Sequence, residues 1–324
     1  WWQIISKGRS ITDFVLSEPM RIFEKKIAEY TGASYAFGVA SGTDALILSL
    51  KAYGIGPEDE VVVPAVSFYS TAGAAAWVNA RPVFVDVDEG GNIDIAKIEP
   101  AITKKTKAII PVHLNGKMAD MDVISQIAKK HRLPVIVDAS HAIGSRYRDR
   151  PIGEFGDAIC LSLNPTKILN TYGDAGVILT NHPELAEKIH PLRIYGAPHW
   201  HTIDAENMIL GTASRLGVFQ AAALNEKIRL LDSYIARQRR NYFLYQNLLR
   251  GAGDLVWPEV TAEYFVNGYR FMILTEKRDG LADYLSQNKA AVRTSYRIPL
   301  PYRPAFKNFK TGRNAKCSRY RLNS

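Results

Sequence analysis

Short β-branched runs, spaced by stretches long enough for helices, fill the first two thirds of the chain and restrict its fold more than any other feature. They are EVVVPAV (60–66), RPVFVDV (81–87), KAIIPVHL (107–114), LPVIVDA (133–139), DAICLSL (157–163) and GVILTN (176–181), with patterns such as MDVISQIAKKHR between them. Strands alternating with helices form an α/β fold around a largely parallel sheet. The last third has another character. A helical stretch from about Arg215 to Leu249 leads into YRFMILTE, expected as a lone strand, and then into a helix over RDGLADYLSQ. The reading is a large domain over 1–240 and a smaller C-terminal α+β domain over 241–324, the latter expected to be truncated. With 324 residues, 47% of them hydrophobic, the chain is long enough for both.

Ligands of doubly wound sheets sit outside the carboxyl ends of the strands, so those ends are where chemistry is sought. Ser41-Gly42-Thr43 opens an apolar helix in VASGTDALILSLKAYG (39–54). The free N–H groups of such a terminus suit a phosphate, although the same residues also make an ordinary cap. Asp138 ends the strand of VIVDASHA (135–142), where an unpaired carboxylate is costly and requires a cation or several donors. His141 follows three residues later, and a satisfied core pair is the plain alternative. Phe68, beyond the strand at 60–66, is either core or a plate for a flat ligand. Lys167, in LSLNPTKILNTYGDAG (161–176), reads by itself as a solvated loop charge. Taken together, a phosphate cradle, an aromatic plate, a strand-end carboxylate and a strand-end lysine are what pyridoxal 5′-phosphate (PLP) requires.

The ordered segments SGTDAL, VPAVSFYSTA, PVFVDVD, IIPVHLNGKMADMD, DASHAIGS, GDAICLSLNPTK, YGDAGVILTN and SRLGVFQAA resemble the DegT/DnrJ/EryC1/StrS sugar aminotransferases. These are PLP-dependent fold type I enzymes of the aspartate aminotransferase superfamily, and the resemblance runs from about Phe23 to Phe306. It implies that Lys167 is the Schiff-base lysine and proton shuttle and that Asp138 keeps the ring nitrogen protonated. His141 would lie near the ring and its hydroxyl, Phe68 would stack on it, and Gly42, Thr43 and Ser162 would bind the phosphate. It also implies L-glutamate as the usual amino donor, a keto-sugar, commonly nucleotide-linked, as acceptor, and a homodimer with sites at the interface. Dehydratases of the family carry histidine in place of the lysine, so Lys167 favours transamination.

Three positions depart from the family pattern. Gly211-Thr212-Ala213-Ser214-Arg215 stands where G-x-N-x-R is common, and that asparagine usually reaches the partner's cofactor phosphate, so a weaker cofactor grip is expected. Ile168 replaces the usual asparagine after Lys167. The segment SYRIPLPYRPAF (295–306), near the substrate site in the family, is normally followed by further strand and helix.

The remaining features limit the alternatives. The net charge is +9, yet ten Lys or Arg and no Asp or Glu lie from Lys289 onward, leaving 31 basic against 32 acidic residues elsewhere. Such a tail is a solvated face, half an interface or a phosphate contact, with Arg293, Arg297 and Arg303 as candidates for a diphosphate. No RNP pattern, zinc finger or recognition helix accompanies it, so nucleic acid is not an expected partner. No run of about 18 apolar residues occurs, so no membrane span is expected. The opening WWQIISKGRS has neither an initiator Met nor a signal-peptide layout, and Cys160 and Cys317 form no disulfide or zinc pattern. A cytoplasmic protein is expected. A PLP-binding regulatory protein without turnover and a basic nucleic-acid-binding protein are the competing classes.

Overall fold

The computed structural model describes residues 16–197 and 207–309; the opening residues, Cys317 and the end of the basic tail lie outside them. Helix α1 (Glu18–Thr31) leads into β1 (Tyr35–Val39) and α2 (Gly42–Ala52), followed by β2 (Glu60–Pro64), α3 (Tyr69–Trp77) and β3 (Arg81–Val85). After β4 (Thr106–Ile109) come α4 (Met121–His131) and β5 (Ile136–Asp138), then a hairpin of β6 (Arg146–Tyr147) and β7 (Arg150–Pro151). β8 (Ala158–Ser162), β9 (Gly176–Thr180) and α5 (Pro183–Leu192) complete the alternating part.

All six strands read from the sequence form. With β1 they assemble in the order β1-β9-β8-β5 and β3-β2-β4, and parallel bridges Ile109↔Val135 and Val112↔Asp138 join the two halves. Only β9 runs against its neighbours within this sheet among the described residues. β1 was not legible: YAFGV has a central glycine and few β-branched residues, and its pairing with β9, from Tyr35↔Thr180 to Val39↔Gly176, makes it a strand.

Successive strand residues point to opposite faces, and both faces are covered. Val137, Ile159, Val177 and Leu179 pack with Met20, Phe23 and Ile27 of α1, while Ile136, Ala158, Cys160 and Ile178 pack with Leu46, Leu48 and Leu50 of α2. Burial on both sides is why these strands read as continuous apolar runs.

The C-terminal third departs from expectation in two places. The stretch from Arg215 to Leu249 is two helices, α6 (Val218–Lys227) and α7 (Leu231–Leu248), with a 3-10 turn at Ile228–Leu230 between them. It starts late because the Ser214 and Leu216 N–H groups bond to the Arg193 and Gly38 carbonyls instead of entering a helix. α7 passes residue 240 without a break. YRFMILTE forms no strand; within it Leu274 alone exchanges two backbone bonds with Val256, at 2.7 and 3.0 Å. A strand requires a neighbour along its whole length, which this segment lacks among the described residues. The strand of this region is β10 (Tyr264–Phe265), which pairs with β6. Helix α8 (Arg278–Gln287) coincides with RDGLADYLSQ and buries none of its residues.

Candidate active site

The first turn of α3 gathers two strand ends. Phe68 is its extended N-cap residue, and Ser70 and Thr71 follow it into the helix. The Ser70 hydroxyl lies 2.6 Å from that of Thr43, which stands at the start of α2. The Thr71 hydroxyl donates to Asp138 Oδ2 at 2.8 Å and therefore accepts from Ser67 Oγ, 2.8 Å away.

Asp138 is 4% exposed at the end of β5. Its second oxygen accepts from the Ser140 N–H at 3.2 Å, and no ion pair engages it among the described residues. The need stated from sequence, a cation or several donors, is thus met so far by two neutral donors. A carboxylate has lone pairs for more, and a buried one gains from a cationic N–H.

The start of α2 is pressed against the ends of β8 and β9. A Cβ at Gly42 would lie 2.8 Å from Ser162 Cβ, and one at Gly176 would lie 2.3 Å from the Ser41 carbonyl oxygen. Only glycine permits these approaches. Ser41 caps the helix by accepting from the Asp44 N–H at 3.0 Å. Buried Ser214 reinforces the turn, donating to Asp44 Oδ2 at 2.7 Å and accepting from the Ala40 N–H at 3.1 Å. First-turn N–H groups without helical partners remain for an anion.

Lys167 follows β8 in a loop held by asparagines. Asn164 Oδ1 accepts from the Thr166 amide and hydroxyl, and its amide donates to Asp174 at 2.7 Å. Asn170 donates to the Lys167 carbonyl at 2.7 Å and accepts from Lys227 of α6 at 2.7 Å. Ile168 packs against the apolar core, which accounts for a residue other than asparagine there. The half-buried Lys167 ammonium forms no ion pair among the described residues and lies 5.4 Å from the ring centre of Tyr269. The His141 ring is 4.6 Å from that same ring.

His141 is buried and accepts from the Asn115 N–H through Nδ1 at 3.3 Å, which leaves the proton on Nε2. Burial, and then the positive charges of Lys167 and Arg270, hold its pKa well below the usual imidazole value. It is neutral at physiological pH and is not paired with Asp138.

Sequence reasoning missed Ser67, Ser70, Thr71, Asn267 and Tyr269. The hydroxyl run flanking Phe68 in SFYST was a usable signal for the first three. Nothing local marked Asn267, whose amide donates to the His141 and Ile143 carbonyls at 2.8 and 2.9 Å and whose oxygen accepts from the Tyr269 N–H at 3.0 Å. Asn267 thereby sets Tyr269 against Lys167 and His141. Phe68 is 59% exposed, and Ala213 is exposed in a bridge with Ile194. Arg297 pairs with Asp279 of α8 at 3.3 Å, and Arg303 donates to the Ile298 carbonyl, so neither joins the cluster.

This donor set fits PLP: a buried carboxylate short of a cation, a glycine cradle at a helix N-terminus, and an amine without a counter-ion. A pleiotropic regulatory protein of Geobacillus stearothermophilus is 43% identical over 298 residues, covering 90% of this chain and 78% of that protein. A UDP-N-acetyl-3-dehydro-α-D-glucosamine 3-aminotransferase of Acidithiobacillus ferrooxidans is 42% identical over 295 residues, covering 90% and 79%. The solved structure of DesV from Streptomyces venezuelae superposes with a TM-score of 0.89 at 34% identity, covering 95% of this chain and 81% of that one. The model of one family matches residues 13–319, and the chain belongs to it: the DegT/DnrJ/EryC1/StrS aminotransferase family.

Proposed function

We propose that this sugar aminotransferase takes the amino group of an amino-acid donor such as L-glutamate and delivers it to a nucleotide-linked keto-sugar, in two successive half-reactions at one site. The observation that carries the reading is the convergence of Lys167 and His141 on Tyr269, beside strand ends that present Asp138 and the start of α2. Relatives named as UDP- and dTDP-sugar aminotransferases support the nucleotide-linked acceptor.

PLP, the family's cofactor, supplies a carbonyl that condenses with amines and a pyridinium that withdraws electrons from the neighbouring carbon. Lys167 would hold it covalently, and its Nζ would take the proton of the donor's α-carbon; among the described residues no carboxylate pairs with it, which leaves it able to change partners. Asp138 would keep a proton on the ring nitrogen, with Thr71 and Ser140 aiming its carboxylate without neutralising it. Neutral His141 would have its Nε2–H available for the ring hydroxyl. Gly42, Thr43 and Ser162 would receive the phosphate, and Phe68 would be the stacking plate.

The same reading includes a homodimer working in the cytoplasm. Phe68, Tyr172, Met208 and Leu210 are large apolar residues left exposed, and a second copy would cover them. Light scattering of the purified chain tests this point.

Mixing the PLP-loaded protein with L-glutamate and no sugar tests the reaction. Release of one 2-oxoglutarate per site is expected. A second reading, a PLP-binding regulator without turnover, is favoured by the name of the Geobacillus relative. It gains if the cofactor is bound through Lys167 yet no donor yields its keto acid.

A further inference from the structure

Arg270 stands next to Tyr269 and enters no ion pair among the described residues. It follows Tyr269 and is half-buried, with its guanidinium carbon 5.1 Å from the centre of that tyrosine ring. Lys167 Nζ lies 5.4 Å from the same centre. Two cations therefore share one aromatic ring, and among the described residues neither meets a carboxylate within ion-pair distance. Most other arginines on this part of the chain are differently placed: Arg278 and Arg297 pair with Asp279, Arg303 bonds a carbonyl, and Arg239 bonds the Val266 carbonyl.

The surroundings of Arg270 point into the site. Its charge acts on His141 and on the phenol of Tyr296, and Tyr296 also feels Asp138 and Tyr269. Burial raises the Tyr296 pKa to about 12, so its hydroxyl stays protonated. A guanidinium suits a carboxylate, which takes the fork of the arginine in two parallel bonds. Placement follows from Asn267, which is buried and bonded on three sides, and from Gly268, where a Cβ would lie 2.7 Å from the backbone of Gln238 and Arg239.

Resting on the transaminase reading above, we propose that Arg270 binds the α-carboxylate of the amino donor and so orients the donor's amine toward the position held by Lys167. Shared occupancy of one ring by both cations favours an anion one carbon away from the reacting amine. A diphosphate, separated from the keto carbon by the width of a sugar ring, needs a more distant cation.

The test uses the PLP-loaded full chain, as wild type, Arg270→Met and Arg270→Lys. Calorimetric titration with glutarate, a dicarboxylate without an amine, measures binding apart from turnover. The wild type is expected to bind it, Arg270→Met to bind about 10- to 100-fold more weakly, and Arg270→Lys to fall between, as the loss of charge-assisted hydrogen bonds predicts. The visible band of the bound cofactor should be the same in all three, showing that Lys167 and the fold are intact. Equal glutarate binding by wild type and Arg270→Met, or none by wild type, overturns the assignment. Loss confined to titration with UDP or dTDP overturns it too, and gives the guanidinium to the acceptor's diphosphate. A wild type that binds glutarate through Arg270 but releases no keto acid from L-glutamate refutes the transaminase reading and leaves the carboxylate site standing.

Discussion

Asp138 ends a strand buried on both faces and Lys167 lies in an asparagine-braced loop just beyond another, whereas Tyr269 and Arg270 ride on a segment whose grip on the molecule is mainly Asn267. The first group inherits its geometry from a sheet. Moving Asp138 means moving β5, which bonds β8 on one side and the 109–113 segment on the other. The second group inherits its geometry from one amide and the close approach of Gly268 to α7, in a part of the chain where α8 buries nothing. Bond-making chemistry tolerates little misplacement, so its groups sit on the stiff side. The group proposed to read the donor, Arg270, sits on the side that can vary without disturbing the sheet.

Replacing Lys167 should show this separation most sharply. Lys167→Ala is expected to lower keto-acid release about ten-thousandfold or more while changing thermal stability by about 1 kcal/mol or less, because the side chain is half-buried and unpaired. A large loss of stability would break the comparison. Asn267→Ala should do the reverse. It strands two buried carbonyls and the Tyr269 N–H, at about 2–4 kcal/mol by urea denaturation, and it lowers donor affinity through Arg270.

His113 offers a pH test on the sheet side. Buried and unable to charge, it has its pKa lowered to about 3 by desolvation, against about 6.5 in the unfolded chain. The unfolded state therefore binds more protons in that window. The contribution is intact above pH 6.5 and is lost as the pH falls, reaching about 2 kcal/mol by pH 5. Melting curves at pH 7 and pH 5 should show it, His141 should add in the same direction, and His113→Asn should flatten the difference.

Thr71→Val removes the donor to Asp138 and the acceptor of Ser67. We expect about 1–2 kcal/mol of destabilisation and weaker retention of PLP on dialysis. The smallest effect belongs to the other region: Tyr284→Ala on α8, where the ring is 62% exposed, should alter stability by about 0.5 kcal/mol or less. A larger value would mean that α8 is covered by something beyond the described contacts.

Legibility in the sequence followed the same division. The six strands were readable because burial on both faces demands apolar runs. Helix α2 was readable from its serine cap and α8 from its pattern, which suffices for a helix whose hydrogen bonds are local. YRFMILTE was misread because the composition of a strand does not supply the partner it must pair with. The candidate lysine, carboxylate and glycine each had an ordinary reading alone and were readable only together, as one set that a single flat, phosphorylated ligand requires. Tyr269 and Asn267 were not, because neither residue type is unusual in a polar stretch.

The chain's own order of residues thus determined the α/β class and the strand ends to be searched, and through its family resemblance it proposed Lys167, Asp138, His141, Phe68, Gly42, Thr43 and Ser162 as candidates. Tertiary structure alone decided that the first turn of α3 ties Thr43 to Asp138, that β1 is a strand, and that Lys167 lies against the Tyr269 ring. The reason is physical. Periodicity and capping act over a few residues and are written locally, while hydrogen bonds such as Asn267 to His141 span more than a hundred residues and exist only once the chain has closed on itself.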